Sequence, residues 1–207
     1  MVRPFTRKLI LNLRDDDLGD RLTRYLTGLL EIQEGFVMRP LVALCIGSDR
    51  YTGDALGPLV GTYLEERGAC IVYGSLDRPV HAGNLVETIG LIKTCYFHPV
   101  IIAIDACLGK ASEIGNIEAW EGGVEAGIAV GNRLPCVGDI SIVGVVNAGS
   151  QLGYLDLQST PLSIVVKLSR AIGDAVTGAL SRLAAREAAA GLCLPGLMRE
   201  KPVPNKV

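Results

Sequence analysis

The chain has 207 residues, of which 49% are hydrophobic and 20% are charged, so it carries enough apolar material for one sizeable core. The formal net charge of -2 and the lack of a basic cluster with interleaved aromatic residues argue against nucleic-acid binding. The longest apolar runs are far shorter than the roughly 20 residues that span a bilayer, and the first residues lack the apolar core of a signal peptide. We therefore expect a cytoplasmic protein with neither a nucleic-acid partner nor a membrane partner.

The cysteines are scattered, and none forms a C-x-x-C pair. They are Cys45, Cys70, Cys95, Cys107, Cys136 and Cys193. This pattern favours reduced, mostly buried thiols over disulfides. The sequence also lacks zinc-ligand spacing, a dinucleotide-binding glycine motif, a nucleophile elbow and a Walker A lysine motif. We therefore expect neither a metal nor a cofactor.

The first predicted elements are a helix and a buried strand. Apolar residues recur at helical spacing from Leu18 to Leu29 behind three aspartates, and this pattern ends near Gly35. Residues 41–46 form a continuous apolar run, which is typical of a strand buried on both faces.

A polar, glycine-containing loop over residues 47–54 leads into a second helix. Proline fits only the first turn of a helix, so this helix begins close to Pro58 and ends at Gly68. Residues 70–74 then predict a second strand, and the sequence at 84–87 resembles a capping box that opens a third helix.

The second half continues the alternation. Residues 100–104 predict a third buried strand that ends at Asp105, and residues 140–146 predict another strand. The alternation at 116–120 is typical of an edge strand. Residues 159–161 predict the cap of a long last helix, with the proline in its first position.

Alternating strands and helices predict an α/β fold with a mainly parallel twisted sheet and helices on both faces. We expect a single domain over residues 1–190, including an N-terminal helical extension, and a mobile proline-containing tail over residues 191–207. The sequence does not fix the oligomeric state, and a homo-oligomer is one of the alternatives.

Two aspartates are the main candidates for chemistry. Ligands of open parallel sheets collect beyond the carboxyl ends of the strands. Asp54 lies in the loop after the first buried strand, and Asp105 follows the third. A carboxylate at the end of an apolar strand needs a partner, a metal or a raised pKa. The alternative is that Asp105 caps a loop and Asp54 caps a helix.

Three further residues are candidate substrate-binding groups. Asp49 shares the first loop with Asp54, and His81 and Asn84 follow the second strand, so they face the same cleft if the loops fold over it. A loop role is the alternative for His81. His98 precedes its strand, so we place it at the opposite end of the sheet, with a structural role.

Several motifs together resemble one family. The loop at 47–58 (G-S-D-R-Y-T-G-D-A-L-G-P), the segment 79–85 and the V-G-D-I-S segment at 137–141 resemble the YyaC-type proteins, a family associated with sporulation. The D-A-L-G-P part, the strand at 102–106 and the glycine-rich segment 126–132 resemble spore germination proteases.

This resemblance implies a three-layer αβα fold shared with the hydrogenase maturation proteases. In those proteases a metal site uses acidic residues matching Asp54 and Asp105 and a histidine after the third strand. This sequence has no histidine after His98, so the resemblance implies no complete nickel site. Germination proteases use the two aspartates without that histidine, so Asp54 and Asp105 carry over as catalytic residues.

The residues and the resemblance together favour an endopeptidase of sporulation or germination, in the forespore or mother cell. Its partner is a protein or peptide substrate, for which small acid-soluble spore proteins are candidates. Asp54, at a helix start, is the expected base, and Asp105, at an apolar strand end, is the expected acid. The alternatives are a non-catalytic binding or regulatory protein and a divalent-metal binder that uses Asp49 with the two aspartates.

Overall fold

The computed structural model describes residues 8–125 and 135–189. Within these residues the strands are β1 (Leu9–Asn12), β2 (Leu41–Cys45), β3 (Ile71–Tyr73), β4 (Val100–Gly109), β5 (Asn116–Glu121), β6 (Val124–Glu125), β7 (Cys136–Val137) and β8 (Ile140–Ala148). The main sheet has the order β1-β5-β8-β4-β2-β3, and β6 pairs with β7 alone. The neighbouring strands from β8 to β3 are parallel, whereas β5 is antiparallel to both β8 and β1. The mainly parallel sheet is therefore confirmed.

Helices cover both faces of this sheet. They are α1 (Leu18–Glu31), α2 (Leu56–Arg67), α3 (Leu85–Cys95), α4 (Gly153–Gln158) and α5 (Leu162–Ala189), with short 3-10 turns at Phe36–Met38, Gly53–Ala55 and Ala111–Glu113. One hydrophobic core joins α1, α2 and α5 to the first face, and a second core joins α3 and the paired strands β6 and β7 to the other face. This arrangement is the expected three-layer αβα sandwich.

The central strands divide their residues between the two cores. In β4, Ile102 and Ile104 belong to the first core, whereas Ile101 and Ala103 belong to the second. Side chains of a strand alternate between faces, so a strand covered on both sides needs an apolar residue at every position. Burial on both faces therefore explains the continuous apolar runs in the sequence.

The structure corrects the limits of two predicted strands. Asp105 does not end β4, because β4 pairs with β8 from Ile102 through Gly109. Nor does β5 lie at an edge, because β1 pairs with its outer side. Both differences arise from pairing with strands distant in the sequence, which a local pattern does not reveal.

The helix starts also differ in detail from the predictions. Asn84 is the N-cap of α3 but makes no capping hydrogen bond, so the predicted capping box is wrong. The last helix begins at Leu162, one residue after the proline, and the Thr160 hydroxyl donates to the carbonyl of Asp156 in the preceding helix. The strand β1 and the short helix α4 had no predicted counterpart.

Three sequence-based expectations fall outside the described residues. They concern the glycine-rich segment at 126–132, the tail over 191–207 and the first seven residues. Among the residues the structure describes, no helix combines the length and apolar character needed to cross a membrane.

Candidate active site

A cavity of about 750 Å³ lies on the second face of the sheet, and both Asp54 and Asp105 line it. Its walls combine apolar residues, among them Val143 and Leu157, with polar groups of the loop before α4. The second face is open here because α3 covers the other half of the sheet, over β2, β3 and β4. The structure thus brings the two sequence-predicted catalytic residues into one cavity.

Asp105 reaches this cavity through the pleat of β4. It follows Ile101 and Ala103 at a spacing of two, so its side chain points to the second face. Its parallel neighbour β2 ends opposite Ile104. Asp105 therefore lies one residue past the end of β2, although it is inside β4.

Asp105 is a buried carboxyl group with little compensation. Only 7% of the residue is exposed, and its Oδ1 accepts a 2.8 Å hydrogen bond from the N–H of Ala106. Within the described part of the chain no ion pair involves it. Burial raises the pKa of Asp105 to about 8, the Ala106 hydrogen bond lowers it, and the charge of Asp54 raises it further. The raised pKa favours the protonated form of Asp105 at neutral pH.

Asp54 is positioned by the junction between β2 and α2. It lies in the 3-10 turn Gly53–Ala55, directly before α2. A Cβ added at Gly47 (φ +140°) would lie 2.0 Å from the Asp54 carbonyl oxygen, and one added at Gly57 would lie 2.0 Å from the Ile46 carbonyl oxygen. Glycine at both positions lets the helix start pack against the end of the strand.

The half-buried Asp54 carboxylate is held by the same loop. Its Oδ2 accepts a 2.8 Å hydrogen bond from the N–H of Ser48. Burial raises its pKa, whereas hydrogen bonds from Ser48 and the charge of His81 lower it. The net pKa of Asp54 is raised, because desolvation outweighs these stabilising groups. Asp54 nevertheless has more groups that favour its charged form than Asp105 has.

None of the three candidate substrate-binding residues, Asp49, His81 and Asn84, is among the described residues that line the cavity. Asp49 is exposed. The Asn84 side chain accepts from the N–H of His81 at 2.8 Å and donates to the carbonyl of Pro79 at 3.1 Å. His81 Nδ1 in turn accepts from the N–H of Gly83 at 3.1 Å. These bonds shape the loop after β3. The substrate-binding roles of Asp49, His81 and Asn84 stay predictions.

The thiol of Cys107 is unsuited to nucleophilic catalysis. Cys107 also lines the cavity, but burial raises its pKa to about 12, so its thiol is not ionised at neutral pH. Within the described residues, no group of three or more His, Cys, Asp or Glu side chains is placed to hold a metal ion.

Sequence reasoning missed the residues on the outer side of the cavity. Lys8, Glu118 and Trp120 line it, where Glu118 and Trp120 are alternate residues of β5 and Lys8 precedes β1. The alternation at 116–120 is the signal that places Glu118 and Trp120 on one face. No local signal marks Lys8, because it joins them only through the pairing of β1 with β5.

The fold and the site together define a class of protein: a three-layer α/β protein with a pair of carboxyl groups in a cavity near the carboxyl ends of its parallel strands. The chain belongs to the family described as "Protein of unknown function (DUF1256)", whose model matches residues 11–175. It is 39% identical over 141 residues to "Uncharacterized protein YyaC" of Bacillus subtilis (strain 168), covering 67% of this chain and 69% of that protein. The predicted YyaC-type membership is confirmed.

A solved structure is also similar to the chain. It is a [NiFe] hydrogenase maturation protease, HycI, from Thermococcus kodakarensis KOD1, with a TM-score of 0.46 and 18% sequence identity. The match covers 74% of this chain and 98% of that chain.

Proposed function

We propose that this protein is an endopeptidase in which Asp54 and Asp105 act as a pair to activate water. One observation carries the proposal: two carboxyl groups with raised pKa values line one cavity, and the pKa of Asp105 is about 8. A raised carboxyl pKa in a cleft is typical of groups that exchange protons during a reaction.

The two environments suggest the division of labour. Asp105 is the buried acid that holds its proton at pH 7, whereas Asp54 is stabilised in its charged form by Ser48 and His81. The Asp54 carboxylate takes a proton from water while the water oxygen bonds to the scissile carbonyl carbon. Asp105 then donates its proton to the leaving nitrogen as the carbon–nitrogen bond breaks. The two groups titrate as a coupled pair.

The choice of a peptide substrate rests on the cavity and on the resemblance. The walls include apolar side chains such as Val143, Leu157 and Trp120, which suit the side chains of a peptide. The motifs shared with germination proteases favour a role in sporulation or germination, in the cytoplasm of the forespore or mother cell. Small acid-soluble spore proteins are the candidate substrates.

The experiment is cleavage of purified small acid-soluble spore proteins by the full chain, with products identified by mass spectrometry. Asp54→Asn and Asp105→Asn keep the shape of each side chain and remove its acid–base function, so each should lower the rate by about 10²–10⁴-fold. Asp77→Asn, at an exposed residue of a different loop, is the matched control and should cleave like the wild type.

Two results would contradict the peptidase proposal. One is equal activity of the wild type and both variants in the pair. The other is a wild type that cleaves none of the tested proteins while both variants melt at higher temperature, which points instead to a ligand-binding protein with a strained acidic site.

A further inference from the structure

The outer side of the cavity holds an ammonium group between an aromatic ring and a carboxylate. The Nζ of Lys8 lies 4.6 Å from the centroid of the Trp120 ring and forms an ion pair with Glu118. The Glu118 side chain is only 16% exposed, whereas that of Lys8 is 44% exposed. A cation over an aromatic face next to a carboxylate is the environment that binds a lysine or arginine side chain.

Strand register links this ammonium site to the catalytic pair. Asp105 of β4 and Glu118 of β5 both pair with Val143 of β8. The three residues therefore form one row across the sheet on its second face. Adjacent strands are about 4.8 Å apart, so the Cα atoms of Asp105 and Glu118 are separated by about 10 Å.

The pairing of β1 with β5 places Lys8 beside Glu118 and Trp120. Leu9 pairs with Ala119, so the preceding residue, Lys8, lies opposite Trp120. The outer end of this face is open, since Ile10, opposite Glu118, is 52% exposed. The ammonium group is therefore held at an accessible rim, where a competing cation is able to replace it.

We propose that Glu118 and Trp120 form a subsite for a cationic side chain of the substrate, which Lys8 occupies in the free protein. This inference rests on the proposed function, and it names the substrate class as peptides that contain lysine or arginine. An extended chain advances about 3.3 Å per residue, so the cation belongs about three residues from the cleaved bond. Lys8 competes with the substrate for this subsite.

The test reads the subsite directly through fluorescence, because Trp120 is the single tryptophan of the chain. The probe is N-acetyl-lysine methylamide, and N-acetyl-norleucine methylamide is its uncharged counterpart of similar shape. Lys8→Met removes the competing ammonium and keeps an apolar stem. We expect this variant to bind the lysine amide about tenfold more tightly than the wild type, with no such gain for the norleucine amide.

A second substitution identifies the carboxylate. Adding Glu118→Gln to Lys8→Met should weaken binding of the lysine amide about tenfold. Glu125→Gln in the same background is the matched control, because Glu125 also lines the cavity but is exposed and lies on β6. Lys167→Met, at an exposed position of α5, controls for loss of one positive charge and should bind like the wild type. Thermal melting of each variant verifies that it is folded.

The proposal is overturned if folded Lys8→Met binds the two amides equally or binds neither, or if Glu125→Gln has the same effect as Glu118→Gln. Binding is measured without turnover, so a protein that binds the lysine amide yet cleaves no peptide retains the subsite and refutes only the peptidase. Conversely, peptide cleavage that ignores lysine and arginine refutes only the subsite.

Discussion

The two ends of the parallel strands each carry an aspartate, and the two carboxyl groups differ in their hydrogen-bond and ion-pair partners. At the amino end, Asp139 precedes β8 and lines a cavity of about 610 Å³. Its Oδ2 accepts a 2.8 Å hydrogen bond from the N–H of Ile101 and lies 3.9 Å from an Arg39 nitrogen. At the other end, Asp105 is buried, has one hydrogen bond from a backbone N–H, and has no ion pair within the described residues.

Asp139 has a structural role, because its side-chain oxygen and its main chain make hydrogen bonds at the start of β4 and just before β8. Its N–H donates to the Ile101 carbonyl at 2.8 Å, and its carbonyl accepts from the N–H of Gly122 at 2.7 Å. Arg39 joins the same end by donating to the carbonyls of His98 and Pro99. The sequence-based placement of His98 and its structural role at this end are consistent with these contacts.

The Asp105 side chain makes no comparable hydrogen bond between strands within the described residues; its partner is the adjacent residue Ala106. Burying a carboxyl group without a cationic partner costs free energy and raises its pKa. A residue kept in this state near a second carboxyl group is what a proton-exchanging site requires. The comparison therefore separates a carboxylate that holds strands together from a carboxyl group whose burial costs the fold free energy.

The largest loss of stability is expected at the amino end of the strands. Asp139→Ala leaves the N–H of buried Ile101 without its acceptor, so the free energy of unfolding should fall by about 2 kcal/mol. Asp139→Asn keeps an oxygen in place and is the matched variant with a smaller loss. Urea denaturation of both variants measures the difference, and an alanine variant as stable as the asparagine variant would break the comparison.

At the carboxyl end of the strands the expected effect has the opposite sign, a gain of stability. Between the ordinary aspartate pKa of about 3.9 and the folded pKa of about 8, the unfolded chain ionises Asp105 while the folded chain keeps the proton. The unfolded state then binds fewer protons, so the wild type loses stability as pH rises through this window. The Asp105→Asn variant does not ionise and so avoids this pH-dependent loss of stability. Its side-chain oxygen can still accept the hydrogen bond from the N–H of Ala106.

Asp105→Asn should therefore be more stable than the wild type by at least about 1 kcal/mol at pH 8, and its Tm should be higher by about 2–4 °C for each kcal/mol. The advantage should vanish near pH 4, grow up to pH 8 and stay constant above it. Thermal melting from pH 4 to pH 9 measures this profile, with Asp77→Asn as the control. A difference that does not change with pH would mean that Asp105 ionises normally.

The smallest effect is expected at Asp49, an exposed acid in the loop that holds Asp54. Asp49→Asn should change the free energy of unfolding by less than about 0.5 kcal/mol. If Asp49 contacts substrate as the sequence suggested, its variant should raise KM and leave kcat unchanged. A fall in kcat comparable with that of Asp54→Asn would extend the reactive pair to this loop.

Much of the site was predictable because its signals are local. The apolar run before Asp105 and the polar, glycine-containing loop around Asp54 are short patterns that specify a buried strand and a turn into a helix. The predicted position of Asp54, after β2 and at the start of the next helix, is confirmed, but its raised pKa was not predicted. That pKa depends on how deeply the folded chain buries the carboxylate, and on Ser48 and His81, which lower it.

By itself, the sequence determined the α/β class, the main helices and central strands, and the two aspartates near the carboxyl ends, because periodicity and apolar runs act within a few residues. Only the tertiary structure decided that β4 continues past Asp105, that β1 covers β5, and that Lys8 meets Glu118 and Trp120. These features depend on register between strands about 40 to 110 residues apart, and register is set by how whole faces pack together.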